Sequence, residues 1–238
     1  MSAAIEVAWI ELDVATAELR SLDALLTDEE RGRIARRATV ELRRRATVSL
    51  ASRRLVAAQV LGTTPESVEL TVAPDGRRGA TAPGAPSLAL SVSTCGATGV
   101  VAVARGLAVG VDVEDFGEVP ATDAFVGRVT TPGERHAIQR LADSDRQRTL
   151  LALWTRKEAY LKATGEGIGA RLTSLEVPLD VTLRATPWHP VGGVTWLLWD
   201  LDVPRPGLAA ALAAGPFPHH PLAAAVEVRV RDGAAWAQ

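Results

Sequence analysis

Three short apolar runs joined by tight turns constrain the fold of this 238-residue chain more than any other feature of its sequence. The runs cover residues 88–93, 100–104 and 108–114, with Gly96, Gly99 and Gly106 between them. Apolar runs of this length that are bounded by glycine are typical of β-strands. The middle of the chain is therefore predicted to form a sheet or a β-ribbon.

Helical segments are predicted on both sides of these strands. Residues 28–62 are dominated by helix formers, and Gly62 suits the left-handed residue that often follows a helix. Thr131 and Pro132 are the capping and first-turn residues of another helix. A further helix is predicted over residues 146–164, where repeated glycines follow it.

The remaining segments are predicted to supply more strands and one irregular loop. The loop covers residues 74–86, which are rich in Gly, Pro and Ala. Apolar patterns predict strands at residues 5–12, 68–73, 196–201, 208–213 and 223–231. This order predicts an α+β fold with one half in residues 1–105 and the other in residues 106–238.

Charge and composition narrow the class of protein. The formal net charge of −2 argues against the broad basic surface that nucleic acid or an anionic membrane requires. No apolar run is long enough to span a bilayer, and the N-terminus has no cationic lead-in to an apolar stretch. Cys95 is the only cysteine, and a small buried residue is favoured there over a nucleophile. We expect a cytoplasmic protein that binds neither nucleic acid nor membrane.

One stretch of the chain is strongly basic, although the net charge of the whole chain is slightly negative. Nine arginines lie between Arg31 and Arg54, with few acidic residues among them. A solvated helix face explains such a stretch, and so does a site for phosphate or an acidic partner. The sequence leaves both interpretations open.

The strand at residues 108–114 carries two acidic side chains. In Gly110-Val111-Asp112-Val113-Glu114 the carboxylates are two residues apart, so both project from the same face of the strand. Neighbouring carboxylates resist joint ionisation unless a cation or a donor lies between them. A hard divalent cation with oxygen ligands would satisfy the pair.

The helix at residues 146–164 carries the complementary groups. Glu158 and Lys162 lie one turn apart on one face. Lys157 and Lys162 are the only lysines of the chain, although arginine supplies every other cationic side chain. A compact ammonium suits phosphate oxygens in a confined site. Three carboxylates and two lysines together predict metal-assisted phosphoryl chemistry.

The two motifs together resemble a known family. Gly110-Val-Asp112-Val-Glu114 is followed some forty residues later by Trp154-x-x-Lys157-Glu158-Ala-x-x-Lys162-x-x-Gly165. This pair resembles the signature of 4′-phosphopantetheinyl transferases of the larger, single-chain, surfactin-synthetase-activating type. Further matches to the layout of that family are Arg54, Gly76-Arg77 and Ser91-Val92-Ser93.

The resemblance implies a fold and an activity. It implies two pseudo-symmetric α+β halves, each with a small antiparallel sheet and packed helices, and coenzyme A in the cleft between them. It also implies a monomer that transfers the 4′-phosphopantetheine arm of coenzyme A to a serine of an apo acyl or peptidyl carrier protein. Adenosine 3′,5′-bisphosphate would be released.

Roles for particular residues follow from the same resemblance. Asp112, Glu114 and Glu158 would hold Mg²⁺, or Mn²⁺, and Glu158 would also be the general base beside Lys162 and Asp112. The remaining implied contacts with coenzyme A are those of Lys157 and Lys162 with its phosphates, and of Arg54, Gly76, Arg77 and Ser93 with its nucleotide end. The region at residues 165–172 resembles the part that meets the carrier protein.

Two departures from the family pattern bear on this interpretation. Thr94 stands where the family usually has histidine, and threonine offers a hydrogen bond without a charge. Arg78 stands where the family usually has proline, and its charge could compensate. One alternative is therefore a catalytically weakened module that binds coenzyme A or a carrier protein. A Mg²⁺-dependent hydrolase of a nucleotide pyrophosphate is a third hypothesis, with little in the sequence to favour it.

Overall fold

The computed structural model describes residues 4–118, 122–167, 172–190, 193–217 and 226–231. These ranges contain ten strands, six α-helices and a short 3₁₀ helix at Pro65–Ser67. The strands are β1 Ala4–Glu11, β2 Glu69–Val72, β3 Arg78–Thr81, β4 Leu88–Cys95, β5 Thr98–Arg105, β6 Ala108–Asp115, β7 Thr186–Trp188, β8 Thr195–Asp200, β9 Leu208–Phe217 and β10 Glu227–Arg231. The helices are α1 Thr16–Ala24, α2 Asp28–Ala35, α3 Val40–Leu61, α4 Asp123–Val129, α5 Pro132–Gln139 and α6 Asp143–Thr164.

The first sheet is formed mostly by the N-terminal half. Its strand order is β10-β1-β5-β4-β3-β2, and every pair is antiparallel except β1 with β10. Buried residues of α3, such as Val48, Val56 and Ala57, share a hydrophobic core with Val101 and Val103 of β5. The long helix therefore covers one face of this sheet.

The second sheet is antiparallel throughout and has its own long helix. Its strand order is β6-β9-β8-β7, and α6 packs on it through Leu153, Ala159 and Leu161. Both α3 and α6 have 22 residues and are followed by a left-handed glycine, Gly62 or Gly165. The two halves thus repeat the same unit of a small sheet and a long helix, as the predicted α+β fold requires.

A shared core joins the two halves. Ile5 and Val7 of the first sheet pack in one hydrophobic cluster with Val111, Leu197 and Leu212 of the second. The C-terminal β10 pairs with β1, so the end of the chain completes the sheet of the first half. The boundary predicted after residue 105 lies in the turn between β5 and β6 and stays a prediction.

The predicted elements agree with the structure except in two segments. Helices α1 and α4 and strand β7 lie in segments for which the sequence predicts no element. Residues 28–62 form two helices, because Thr39 accepts a hydrogen bond from Leu42 N and starts α3 separately from α2. The predicted loop at residues 74–86 contains β3, which pairs with both β2 and β4. A strand as short as Arg78–Thr81 is too brief for its periodicity to be recognised. Residues 223–225 of the last predicted strand lie outside the described residues.

No helix in the described ranges is long and apolar enough to cross a membrane.

The contact between β6 and α6 is unusually close. A Cβ placed on Gly110 would overlap the carbonyl oxygen of Ala159 and lie 2.7 Å from Ala163 N. Only glycine allows the strand and the helix to approach this closely, because both neighbouring atoms belong to the backbone of α6. The approach matters because β6 carries Asp112 and α6 carries Glu158.

We therefore expect Gly110→Ala to destabilise the protein by about 1–3 kcal/mol or more, the usual range for overpacking a rigid core. Chemical denaturation monitored by circular dichroism would measure the free energy of unfolding. Gly32→Ala is the matched control, because a Cβ at this helical position meets nothing within 4 Å. Gly32→Ala should be neutral or stabilising by up to about 1 kcal/mol. Equal stability of the two variants would contradict the close-contact interpretation.

Candidate active site

The site is built around one lysine that reaches from α6 to both sheets. Lys162 Nζ donates to Asp112 Oδ1 of β6 at 2.6 Å and to Ser93 Oγ of β4 at 3.0 Å. Ser93 Oγ in turn donates to Asp112 Oδ1 at 2.8 Å. Three predicted site residues, from three elements and both halves of the chain, therefore meet in one hydrogen-bonded cluster.

Two more carboxyl groups lie near this cluster. Glu114 follows Asp112 on the same face of β6, and its Oε1 accepts a hydrogen bond from Trp154 Nε1 at 3.0 Å. Glu158, one helical turn before Lys162, is buried with 2% of its surface exposed. Burial raises the pKa of Glu158 to about 7, and the nearby charges of Asp112 and Glu114 add to the increase.

The same effect acts on the other two acids. Burial is the main cause that raises the pKa of Asp112, although the ammonium of Lys162 opposes it. Burial and the charge of Asp112 together raise the pKa of Glu114. Three carboxyl groups thus share a site with one nearby cation, Lys162, and their negative charge is only partly compensated.

The site contains buried carboxylate oxygens that lack a hydrogen-bond partner and to which a metal ion would bind. Asp112 Oδ2 and Glu158 Oε1 are buried, and neither has a hydrogen-bond partner among the described residues. Buried carboxylate oxygens without partners are uncommon, and a hard cation would satisfy them. Among the described residues no three His, Cys, Asp or Glu side chains converge into a ready-made metal site. The fit to Mg²⁺ rests instead on the chemistry of the oxygen donors of Asp112, Glu114 and Glu158, which are of the kind that this ion prefers.

A basic groove opens beside this cluster. Its volume is about 840 Å³, and Ser93, Thr94 and Lys162 are among the residues that line it. Two acidic side chains, Glu30 and Glu118, line it as well. Its cationic side chains outnumber them and are Arg33, Arg37, Arg45, Arg53, Arg78 and Lys162. This excess of positive charge next to an acidic site suits an elongated anion.

Arg53 is the most confined of the groove arginines. Burial lowers its pKa to about 10, and the like charges of Arg78, Arg37 and Arg33 contribute to the shift. Its Nε is enclosed and has no hydrogen-bond partner in the described part of the chain. An anion in the groove would supply both the missing acceptor and the missing charge.

Lys157 and Arg54, which the resemblance makes contacts of coenzyme A, do not line the groove. Lys157 is fully buried, and its Nζ donates to Glu134 Oε2, Val129 O and Leu172 O at 2.6–2.7 Å. All three donors of this ammonium are used, and none of its surface is exposed, so a phosphate oxygen cannot reach it. Lys162 also has three acceptors, at Ser93, Val111 O and Asp112, but its side chain is 29% exposed and remains accessible. Arg54 is 4% exposed and binds Glu30 and the carbonyl of Val68 instead of lining the groove. In both cases the cation binds a buried carboxylate and backbone carbonyl oxygen.

The remaining predicted residues divide between the groove and its surroundings. Thr94 and Arg78 line the groove. Gly76 and Arg77 do not line it. They belong to the turn between β2 and β3, where Arg77 pairs with Asp75 and lies against Gly165 at the end of α6.

The face of α3 that lines the groove is not predicted from the sequence. The groove-lining residues of this helix recur at helical spacing and are Leu42, Arg45, Ala46, Ser49, Leu50 and Arg53. This i, i+3, i+4, i+7 pattern was a usable signal, since it places Arg53 and not Arg54 on the face with Arg45. The pattern was hidden because Arg53 and Arg54 are adjacent in the sequence.

A buried acidic cluster at the edge of a basic groove, on a fold of two sheet-and-helix halves, suits an enzyme that acts on phosphate-bearing substrates. Comparison with known proteins identifies its family. The model of the 4′-phosphopantetheinyl transferase superfamily matches residues 108–211, which include β6, α6 and β8 and the start of β9. The 4′-phosphopantetheinyl transferase HetI of Nostoc sp. (strain PCC 7120) is 31% identical over 215 residues, which cover 89% of this chain and 88% of that protein. The chain belongs to the 4′-phosphopantetheinyl transferase superfamily and is an enzyme of that class.

A shorter relative aligns with only part of the chain. The holo-[acyl-carrier-protein] synthase of Levilactobacillus brevis is 30% identical over 92 residues, which cover 36% of this chain but 75% of that protein. The first relative is thus named as a transferase of the phosphopantetheinyl group and the second as a synthase of a holo-[acyl-carrier-protein].

The raised pKa of Glu158 predicts how stability depends on pH. A carboxyl group whose folded pKa is about 7, against an ordinary value of 4.5, destabilises the folded state when it ionises. Stability should therefore fall as the pH rises from about 4.5 to about 7, and the deficit should persist above pH 7. In metal-free buffer at pH 8, Glu158→Gln should raise the Tm, by about 2–4 °C for each kcal/mol recovered.

The gain should shrink at pH 5, where Glu158 of the parent protein is protonated. Differential scanning calorimetry at both pH values measures it. Glu66→Gln, at an exposed carboxylate, is the control and should leave the Tm unchanged. A lower Tm for Glu158→Gln at pH 8 would refute the proposed charge repulsion.

Proposed function

We propose that this enzyme transfers the 4′-phosphopantetheine arm of coenzyme A to a serine of an apo acyl or peptidyl carrier protein. The reaction would depend on Mg²⁺ and release adenosine 3′,5′-bisphosphate. One observation carries the proposal: the Lys162–Asp112–Ser93 cluster, with two unshared carboxylate oxygens beside it, lies at the edge of a basic groove.

Asp112, Glu114 and Glu158 are the residues that would hold Mg²⁺, or Mn²⁺, since their oxygen atoms suit either ion. The ion would neutralise charge on the pyrophosphate of coenzyme A as it develops during the transfer. The orphaned Oδ2 of Asp112 and Oε1 of Glu158 support this assignment.

Glu158 is suited to accept the proton of the carrier serine. In the metal-free protein burial brings the pKa of Glu158 to about 7, and a bound Mg²⁺ would favour its ionised form, which is the form that accepts a proton. The deprotonated serine oxygen would bond to the β-phosphorus, the phosphoanhydride bond would break, and the bisphosphate would leave. Lys162, which lies 29% exposed at the groove, would bind the pyrophosphate oxygens at this point.

The groove arginines would hold the nucleotide end of coenzyme A. Arg53, with its unpaired Nε, and Arg78 are the strongest candidates for the 3′-phosphate, because each adds charge to the same crowded region. Thr94 lines this groove where the family usually has histidine, and its hydroxyl can still bind an oxygen atom. The charge of Arg78 would take the place of the missing imidazolium.

The relatives support the proposed partners. HetI is named as a 4′-phosphopantetheinyl transferase and the Levilactobacillus protein as a holo-[acyl-carrier-protein] synthase. Two pseudo-symmetric halves in one chain favour the larger surfactin-synthetase-activating type. Its carriers would then belong to polyketide or nonribosomal peptide synthesis. We further propose that the enzyme acts as a monomer in the cytoplasm. A binding module with weakened catalysis is the rival function, favoured only by Thr94.

The direct test uses intact-mass spectrometry of a panel of apo-carrier proteins incubated with enzyme, coenzyme A and Mg²⁺. We expect at least one carrier to gain the mass of the phosphopantetheine arm, and none to gain it when EDTA is present. Asp112→Ala and Glu158→Gln should each reduce the rate by about 10²–10³-fold or more, the usual effect of losing a preorganised charged group. Glu66→Gln is the control and should keep the parental rate. Tight binding of coenzyme A without transfer to any carrier would favour the rival function.

The assignment of Arg53 is tested with two ligands that differ by one phosphate. Arg53→Gln should raise the Kd of coenzyme A by about tenfold, which corresponds to the loss of one charge-assisted contact. The Kd of dephospho-coenzyme A, which lacks the 3′-phosphate, should change less than about twofold. Arg36→Gln is a control at an exposed arginine that does not line the groove. An equal increase in the Kd of both ligands would mean that Arg53 contacts a part of the nucleotide other than the 3′-phosphate.

A further inference from the structure

Three consecutive charged residues of α6 point in different directions. Successive helical residues project about 100° apart, so Arg156 and Lys157 leave the helix away from the face that carries Glu158 and Lys162. Only Glu158 of the three belongs to the acidic cluster. Arg156 and Lys157 are both buried, with 3% and 0% of their surfaces exposed.

Lys157 connects four segments of the C-terminal half. Its ammonium binds the carbonyl of Val129 at the end of α4, the carboxylate of Glu134 in α5 and the carbonyl of Leu172 beyond α6. Glu134 also accepts hydrogen bonds from Thr131 N, at 2.7 Å, and from Val177 N, at 2.9 Å. The ion pair therefore ties α6 to α4, to α5 and to the chain that follows α6.

Arg156 makes a second connection to the same segment. Its guanidinium binds both carboxylate oxygens of Asp200, at 2.9 and 2.7 Å, at the end of β8. It also donates to the carbonyls of Pro178, Leu179 and Val181, at 3.0–3.5 Å. A bidentate contact of this kind fixes the orientation of the guanidinium as well as its position.

The segment held by these two cations forms no helix or strand. Residues 172–185 are irregular, so their backbone carbonyls need partners from elsewhere. Four of these carbonyls, at Leu172, Pro178, Leu179 and Val181, bind Lys157 or Arg156. On its other side α6 lies against β6 at Gly110, where no side chain separates the two backbones. The helix is thus fixed from both sides.

We propose that Arg156 and Lys157 are positioning residues, which set the rotation and the axial position of α6 and so place Glu158 and Lys162 against β6. Neither residue contacts coenzyme A. The inference deepens the proposed function, and rests on it for the roles of Glu158 and Lys162. It assigns to Lys157 a task that differs from the phosphate contact predicted from the sequence.

The first test compares the only two lysines of the chain. Lys157→Met should reduce kcat by about tenfold or more at 20 °C, because small displacements of catalytic groups have large effects on rate. The Kd of coenzyme A should change less than about twofold. Lys162→Met should instead raise the Kd by about tenfold, the effect of losing a charged contact. Both are measured on folded protein well below its Tm.

Two results would overturn the inference. One is an increase in the Kd for Lys157→Met as large as that for Lys162→Met, which would make Lys157 a phosphate ligand. The other is an unchanged kcat with a lower Tm, which would make Lys157 a stabilising residue without influence on the site. The double variant Lys157→Met/Glu134→Gln removes the unpaired carboxylate that the single variant leaves, and should recover part of both the Tm and kcat.

A second test needs no variant of Lys157. Lysine labelled with ¹⁵N at Nζ gives one ammonium signal for each of the two lysines, and Lys162→Met assigns them. On addition of coenzyme A the signal of Lys162 should shift while that of Lys157 stays in place. A shift of the Lys157 signal as large as that of Lys162 would overturn the inference alone. If neither signal moved, the proposed function and the inference that rests on it would both fail.

Discussion

The contact between Lys162 and Asp112 is the interaction on which the site depends. It crosses from α6 to β6, and Ser93 extends it to β4 of the other sheet. The pair forms only if both halves and the long helix hold their positions, since a displaced Lys162 would leave the buried carboxylate of Asp112 uncompensated. The glycine at position 110 and the shared core between the sheets provide that arrangement.

The acidic cluster lowers the stability of the folded protein and provides the groups that the proposed reaction needs. Asp112, Glu114 and Glu158 lie together where burial and mutual repulsion raise the pKa of each. A site optimised for stability would not leave two buried carboxylate oxygens without partners. The same features make sense for a site that binds a cation and a pyrophosphate at the moment of use. Such charge repulsion is tolerated where the surrounding structure is rigid. The contacts of Arg156 and Lys157 on the other side of α6 hold this helix in place.

The sequence predicted much of the fold and the centre of the site. The alternation around Asp112 and Glu114 placed both acids on one face of a strand, and the helical spacing of Glu158 and Lys162 placed them on one face of a helix. Strong periodic patterns and glycine caps identified most strands and the two long helices, and the α+β class followed from their order. The paired motif identified the family correctly. The short β3 and the break between α2 and α3 escaped because local signals over four residues are weak.

Sequence alone determined which residue types were present and which shared a face of one element, because backbone geometry fixes those periods. It could not decide which cation belongs to which anion. Lys157 and Lys162 looked equivalent, and so did Arg53 and Arg54, yet in each pair one side chain lines the groove and the other is buried against a glutamate. Only the tertiary structure separated them, because the partner of a buried charge comes from elements distant in the sequence, and the packing of α2 and α5 against the long helices decides where that partner lies.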